Sequence, residues 1–187
     1  DIAIFSGGNL NFYTSVPVGG DHITSDIAYG LKIPYHEADK IKRQYGIASV
    51  SLIKHDQEIS IPSINDIKNN TVKISEFVEI IEARVYEIFD LVRSAIAKAG
   101  FINQLNAGIL LTGCGMNSIN GSGSIASEIT GLPAKFDNGR YPSSVGQEFA
   151  TAYGIVAYVA RTKRGNNIAS EVRQQKQEKE SRDESLF

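Results

Sequence analysis

Two glycine turns hold the residues of this chain best suited to chemistry. The first lies in Gly108-Ile-Leu-Leu-Thr-Gly-Cys-Gly-Met-Asn-Ser-Ile-Asn-Gly121, where apolar or small residues run into Thr112 and Gly113 and Gly115 then flank Cys114. A strand that opens through glycines onto a helix lets a flat or anionic ligand approach backbone amides, because no Cβ stands in the way. The second is Val16-Pro-Val-Gly-Gly-Asp-His-Ile-Thr24, with Gly19 and Gly20 at its centre and Asp21 or Thr24 as candidate caps for the helix that follows. Two such turns at strand ends in one α/β chain point to a nucleotide cleft. Two charged pairs stand beside them in interest. Asp39 and Lys42 are three apart on one helix face, and so are Arg84 and Glu87 on a longer helix. An arginine and a glutamate so placed can receive a carboxylate and an amine of a bound peptide. The plain alternative for each pair is an intrahelical ion pair on a solvated face, worth a few tenths of a kcal/mol.

Other chemistry finds little support. His22, His36 and His55 have no metal-site spacing, Cys114 has no cysteine partner, and no nucleophile–base–acid set stands out. A net charge of -2 gives no basis for binding nucleic acid. The single cysteine rules out an internal disulfide, and no apolar run approaches the roughly 18 residues that span a bilayer. The cytoplasm is the default compartment.

The positioning elements follow from periodicity. Asp1–Phe5 and Leu10–Val18 read as a hairpin around Gly7-Gly8-Asn9, and a chain that opens inside a strand predicts a piece of something longer. Thr24–Leu31 and Pro34–Tyr45 read as helices, the second stopped by Gly46. Ser49–Ile53 and Ile59–Ile61 suggest a second hairpin, and 66–71 a polar loop. Ser75 is the expected cap of a long helix to Ala99 whose apolar stripe holds Phe77, Ile80, Ile81, Val85, Ile88, Leu91, Val92 and Ile96. A strand at Gly108–Thr112 and helices at Ser122–Gly131 and Ser144–Arg161 complete the fold. Residues 162–187 hold almost no core formers and read as a disordered tail.

In this order the segments resemble the second half of the bacterial cell-division actin family FtsA. Val16–Ala28, Glu37–Gly46, Glu79–Glu87 and Gly108–Gly115 carry the likeness, which spans roughly residues 1–160. The resemblance implies an α/β, actin-like (RNase H-like) nucleotide-binding lobe over 1–161, with a small accessory, FtsZ-binding part at about 47–100 and a linker tail at 162–187. The family's first lobe, with the phosphate-binding turn of which Asp1 is the last residue, would precede it.

That resemblance implies ATP with Mg as cofactor, the phosphate and metal contacts coming mostly from the missing lobe. Gly19, Gly20, Asp39, Lys42, Gly113, Cys114, Gly115 and Met116 would border the nucleotide. The family's usual residues are glycine where Cys114 stands and glutamate where Asp39 stands. Arg84 and Glu87 would hold the C-terminal tail of FtsZ. Other implied partners are further copies of the protein in a filament, other divisome proteins, and the membrane through a C-terminal amphipathic helix not evident here. The parent would sit on the inner face of the membrane at the division site, an adaptor first and a weak ATPase at most, this part being inactive alone. Alternatives on the same fold are the pilus-assembly adaptor PilM and a sugar-kinase-type enzyme.

Overall fold

The computed structural model describes residues 1–61, 70–137 and 146–162. All of the expected tail beyond Thr162 lies outside the described residues. The chain divides into two compact units, Asp1–Asn138 and Gly139–Phe187. In the first, strands β1 (Ile2–Ser6) and β2 (Asn9–Thr14) form an antiparallel hairpin. The return strand stops four residues before the expected Val18. Pro17 has no N–H to donate to a ladder and restricts the residue before it, so the chain leaves the hairpin early.

Helices α1 (Gly20–Leu31) and α2 (Tyr35–Tyr45) follow. Helix α1 begins four residues ahead of its expected start at Thr24. Its first turn is closed by His22, not by Asp21 or Thr24: the His22 N–H donates to the Gly19 carbonyl, and Nδ1 of His22 accepts the Gly19 N–H at 3.2 Å. The anticipated strand at Ser49–Ile53 is instead a 3-10 turn at Val50–Leu52. Ser49 explains the difference: its Oγ accepts the Ser51 N–H at 3.3 Å and donates to Glu82 at 2.6 Å, which competes with an extended ladder. Strand β3 (Glu58–Ile61) pairs antiparallel with β4 (Asn70–Lys73), so residues 70 and 71 belong to a strand where a polar loop was expected.

Helix α3 (Ile74–Lys98) is the spine of this unit. It buries Phe77, Val78, Ile81, Val85, Ile88 and Phe89 and packs against α1 on one side and α5 (Ser122–Thr130) on the other. Ile23 and Ile27 of α1 are fully enclosed in the same core. Strand β5 (Ile109–Leu111) pairs in parallel with β6 (Ala134–Phe136), and the single turn α4 (Cys114–Asn117) follows β5 directly. The described strands thus pair two by two, in three small sheets. In the second unit, a 3-10 turn at Gln147–Phe149 leads into α6 (Ala150–Arg161).

The N-terminus of α3 is capped from outside its own sequence. Ser75 lies inside the helix, not at its cap, and donates both its N–H and its hydroxyl to the carboxylate of Asp56, each at 3.0 Å. A carboxylate there satisfies an otherwise unpaired amide and lies at the positive end of the helix dipole. Asp56→Ala should therefore lower stability by about 0.5–2 kcal/mol, read as a lower urea midpoint at unchanged slope; an unchanged midpoint would contradict the cap.

Candidate functional site

The two glycine turns meet. A Cβ built on Gly20 would lie 3.1 Å from the Cα of Gly115 and 3.4 Å from its carbonyl oxygen. The first turn of α1 therefore rests directly on α4, so closely that a side chain at position 20 would force the two apart. Beside this contact the backbone faces open space, since a Cβ at Gly19 or Gly113 would meet nothing within 4 Å. Gly113 has φ 87°, a conformation that strains any residue with a side chain. Cys114 is exposed. Met116 packs half-buried against the core, and its carbonyl accepts the Ser122 hydroxyl at 2.8 Å. Gly20 and Gly115 are thus neighbours, with Gly19, Gly113 and Cys114 adjoining them in the chain.

Lys42 locks that contact from below. Its ammonium is buried and has three protein partners: the Gly20 carbonyl at 3.2 Å, the Thr24 hydroxyl at 2.5 Å and the Asp39 carboxylate at 3.0 Å. An ammonium has three donors, so this set uses them all. Asp39 is itself shared with Arg43 at 2.8 Å. Burial works to raise the Asp39 carboxyl, but hydrogen bonds from Arg43 and Lys42, with their charges, outweigh it and hold the group below its ordinary value. The sequence placed Lys42 and Asp39 on one face but gave no sign of Thr24, whose side chain joins them to α1.

Arg84 and Glu87 form the second locus. They pair with each other, as expected of residues three apart. The structure adds a partner from α1: Asp26 takes the Arg84 guanidinium in a two-point grip, at 2.6 Å from Nε and 3.0 Å from Nη2. The hydrogen bonding it donates to Asp26 is the main reason that the Arg84 guanidinium is held above its ordinary value. These three residues, with Ile80 and Ala83, line an open cleft of about 280 Å³ between α1 and α3.

A family model for "Cell division protein FtsA" matches residues 1–154. The chain belongs to the FtsA family. It is 33% identical to the cell division protein FtsA of Pseudomonas aeruginosa over 135 residues, covering 72% of this chain and 32% of that protein. It is 35% identical to FtsA of Neisseria meningitidis (72% and 33% covered) and 30% identical to FtsA of Bacillus subtilis (87% and 37%). The chain thus spans about a third of the length of these relatives. Among solved structures it is similar to MreB5 of Spiroplasma citri bound to ADP, with a TM-score of 0.67 at 20% identity, covering 89% of this chain and 51% of that one. The AMPPNP-bound form of the same protein gives 0.64 at 22% identity. The fold is therefore actin-like, as the sequence implied, and the FtsA family match favours a cell-division protein over the pilus-assembly and sugar-kinase alternatives. Among the described residues no helix is long and apolar enough to cross a membrane.

Two expectations follow from the Lys42 lock. Lys42→Met should destabilise by about 1–3 kcal/mol, because it takes a donor from the buried Thr24 hydroxyl and from the Asp39 carboxylate, the Gly20 carbonyl keeping the Thr24 hydroxyl; a thermal or urea midpoint equal to wild type would refute the lock. Asp39 has a folded pKa lower than its ordinary 3.8, so its contribution is complete above that value and is lost as pH falls through the lower, folded one. Asp39→Asn should flatten the acid limb of a stability-versus-pH curve below about pH 4, and an identical acid limb would count against the assignment.

Proposed function

We propose that the intact protein is a division-site adaptor that binds ATP at the meeting point of its two glycine turns and grips the FtsZ C-terminal tail in the α1–α3 cleft. The contact between Gly20 and Gly115, with open space beside Gly19 and Gly113, carries the reading. The residues present fit a nucleoside: a side chain at Gly19 or Gly113 would occupy space that is open here, and the exposed Cys114 adds little bulk. Gly19, Gly20, Gly113, Cys114 and Gly115 would border the adenosine, with Met116 buttressing the turn from the core side. Lys42 and Asp39 act through the turn they hold, since the Lys42 donors already have protein partners. The nucleotide supplies a charged triphosphate with Mg. Its phosphate and metal contacts are assigned mostly to a lobe beyond this chain.

The relatives' name, cell division protein FtsA, supports the division-site assignment. In this reading the protein also assembles head to tail into filaments, meets other divisome proteins, and reaches the inner membrane face through a C-terminal amphipathic helix. Turnover of ATP, where it occurs, needs the missing lobe. The peptide end of the reading rests on Arg84 and Glu87, which line the cleft together with two apolar residues, Ile80 and Ala83. A guanidinium, a carboxylate and a small apolar wall suit a short peptide that carries both charge signs.

Gly113→Val should weaken binding of a fluorescent ATP analogue to the intact protein by about tenfold or more, because it combines strain at φ 87° with a branched side chain in the open space. Unchanged affinity in a folded variant would remove the nucleotide from this turn.

A further inference from the structure

The cleft between α1 and α3 is already partly filled by the protein's own chemistry. Arg84 offers five N–H donors in a planar fork. Asp26 occupies its Nε and Nη2 side, and Glu87 lies against Nη1. Asp26 and Glu87 together carry one more negative charge than Arg84 neutralises. An approaching carboxylate therefore meets a guanidinium whose best two-point face is taken, within a cluster that repels it. We propose that Asp26 is an internal occupant of the peptide site, and that an acidic side chain of the bound peptide engages Arg84 only by exchanging places with the Asp26 carboxylate. This inference rests on the reading that the cleft takes a peptide.

Several observations make exchange the natural outcome. Both partners remain accessible: the side chains are 26% exposed for Arg84 and 31% for Asp26. A pair so placed is worth about 0–1 kcal/mol to stability, so it can open without unfolding anything. The packing of α1 on α3 does not depend on it, because Ile23, Ile27, Phe77 and Ile81 are enclosed in the shared core. One turn on along the same face of α1, Ile80 packs directly against the backbone of Gly30, where a Cβ would come within 2.8 Å of its Cδ1. A peptide lying over Ile80 and Ala83 meets Arg84 in the same cleft, with Asp26 as the group to be moved. Exchange replaces one carboxylate by another, so it costs little in bonding. Its main consequence is that the apparent affinity is lowered by the fraction of molecules in which Arg84 is free. Asp26 then sets how tightly the site holds an acidic ligand and discriminates against weak ones.

The test uses the intact protein and a labelled FtsZ C-terminal tail peptide, followed by fluorescence anisotropy. A second peptide has its acidic residues changed to amides. Asp26→Asn should tighten binding of the acidic peptide by about threefold or more, with Asp26→Ser changing it in the same direction, and neither should tighten binding of the amide peptide. Arg84→Gln should weaken the acidic peptide by about tenfold. Equal or weaker binding by both Asp26 variants, with Arg84→Gln still defective, overturns the exchange and leaves the peptide reading intact. Wild-type affinity in Arg84→Gln, or no binding by any variant, overturns both. A partner-free readout accompanies these: the Arg84 Nε–H resonance should shift in Asp26→Asn while the thermal midpoint stays near that of wild type. A large fall in the midpoint would mark Asp26 as a structural residue and end the proposal.

Discussion

The contact of Gly20 with Gly115 is the constraint on which the rest of this unit depends. The Gly115 backbone lies 3.1 Å from where a Cβ of residue 20 would stand, so the approach depends on the missing side chain of Gly20. That approach fixes where α1 starts, and so fixes which of its residues face inward. Ile23, Thr24 and Ile27 are enclosed because the first turn of the helix is pinned on α4. Lys42 completes the arrangement. A buried ammonium is costly unless every donor is satisfied. Here the partners are a carbonyl at the turn, a hydroxyl one turn along α1 and a carboxylate on its own helix. The charge is tolerated because it ties α2 to α1 where the two glycine turns touch.

Helix α1 therefore serves two places at once. Its first residue belongs to the glycine contact, and Asp26, six residues on, belongs to the cleft with Arg84. At 1.5 Å of rise per residue the two lie about 9 Å apart along one rigid rod. A shift of α1 that opened one would be felt at the other. Where two sites share an element in this way, any coupling between their ligands is reciprocal in free energy. Release of Asp26 by a peptide would loosen one tie of α1 to α3 while leaving the apolar packing in place. The loosening is then a small rearrangement that leaves the fold intact.

What the sequence made legible was what periodicity and glycine spacing encode. The stripe of α3 from Phe77 to Ile96 follows from the 3.6-residue repeat: Phe77, Ile81, Val85, Ile88 and Ile96 are buried, while Ile80, Leu91 and Val92 at its edges are half-buried. The Gly113 turn was visible because a glycine at a strand end has few other uses. Contacts between distant segments were not visible. Asp26 and Arg84 are 58 positions apart, and Asp56 and Ser75 are 19 apart. No local pattern marks an aspartate as the partner of a residue so far along the chain. Strand β6 has only three residues, too few to show alternation, and the 3-10 turn at Val50–Leu52 depends on Glu82 reaching Ser49 from α3. In each case a tertiary partner decided between local alternatives that the residues alone left balanced.

Cys114 shows how the same reasoning separates a demand of the fold from a demand of a ligand. A cysteine where the resemblance leads one to expect glycine would be disruptive if that position needed a left-handed backbone. It does not. Among the described residues Lys32 is the one non-glycine with positive φ, and the turn's left-handed conformation falls on Gly113. Cys114 opens the short helix α4 with ordinary helical backbone and an exposed side chain. Gly115, next along, lies under the first turn of α1, where the space a side chain would need is missing on the Gly20 side: a Cβ on Gly20 would meet the Gly115 backbone at 3.1 Å, whereas one on Gly115 would meet the Gly20 nitrogen at an ordinary 3.9 Å. Of three consecutive small residues, Gly113 answers to backbone geometry and Gly115 sits at the contact with α1. The central one is released from both, so a cysteine is accommodated there without rebuilding the turn.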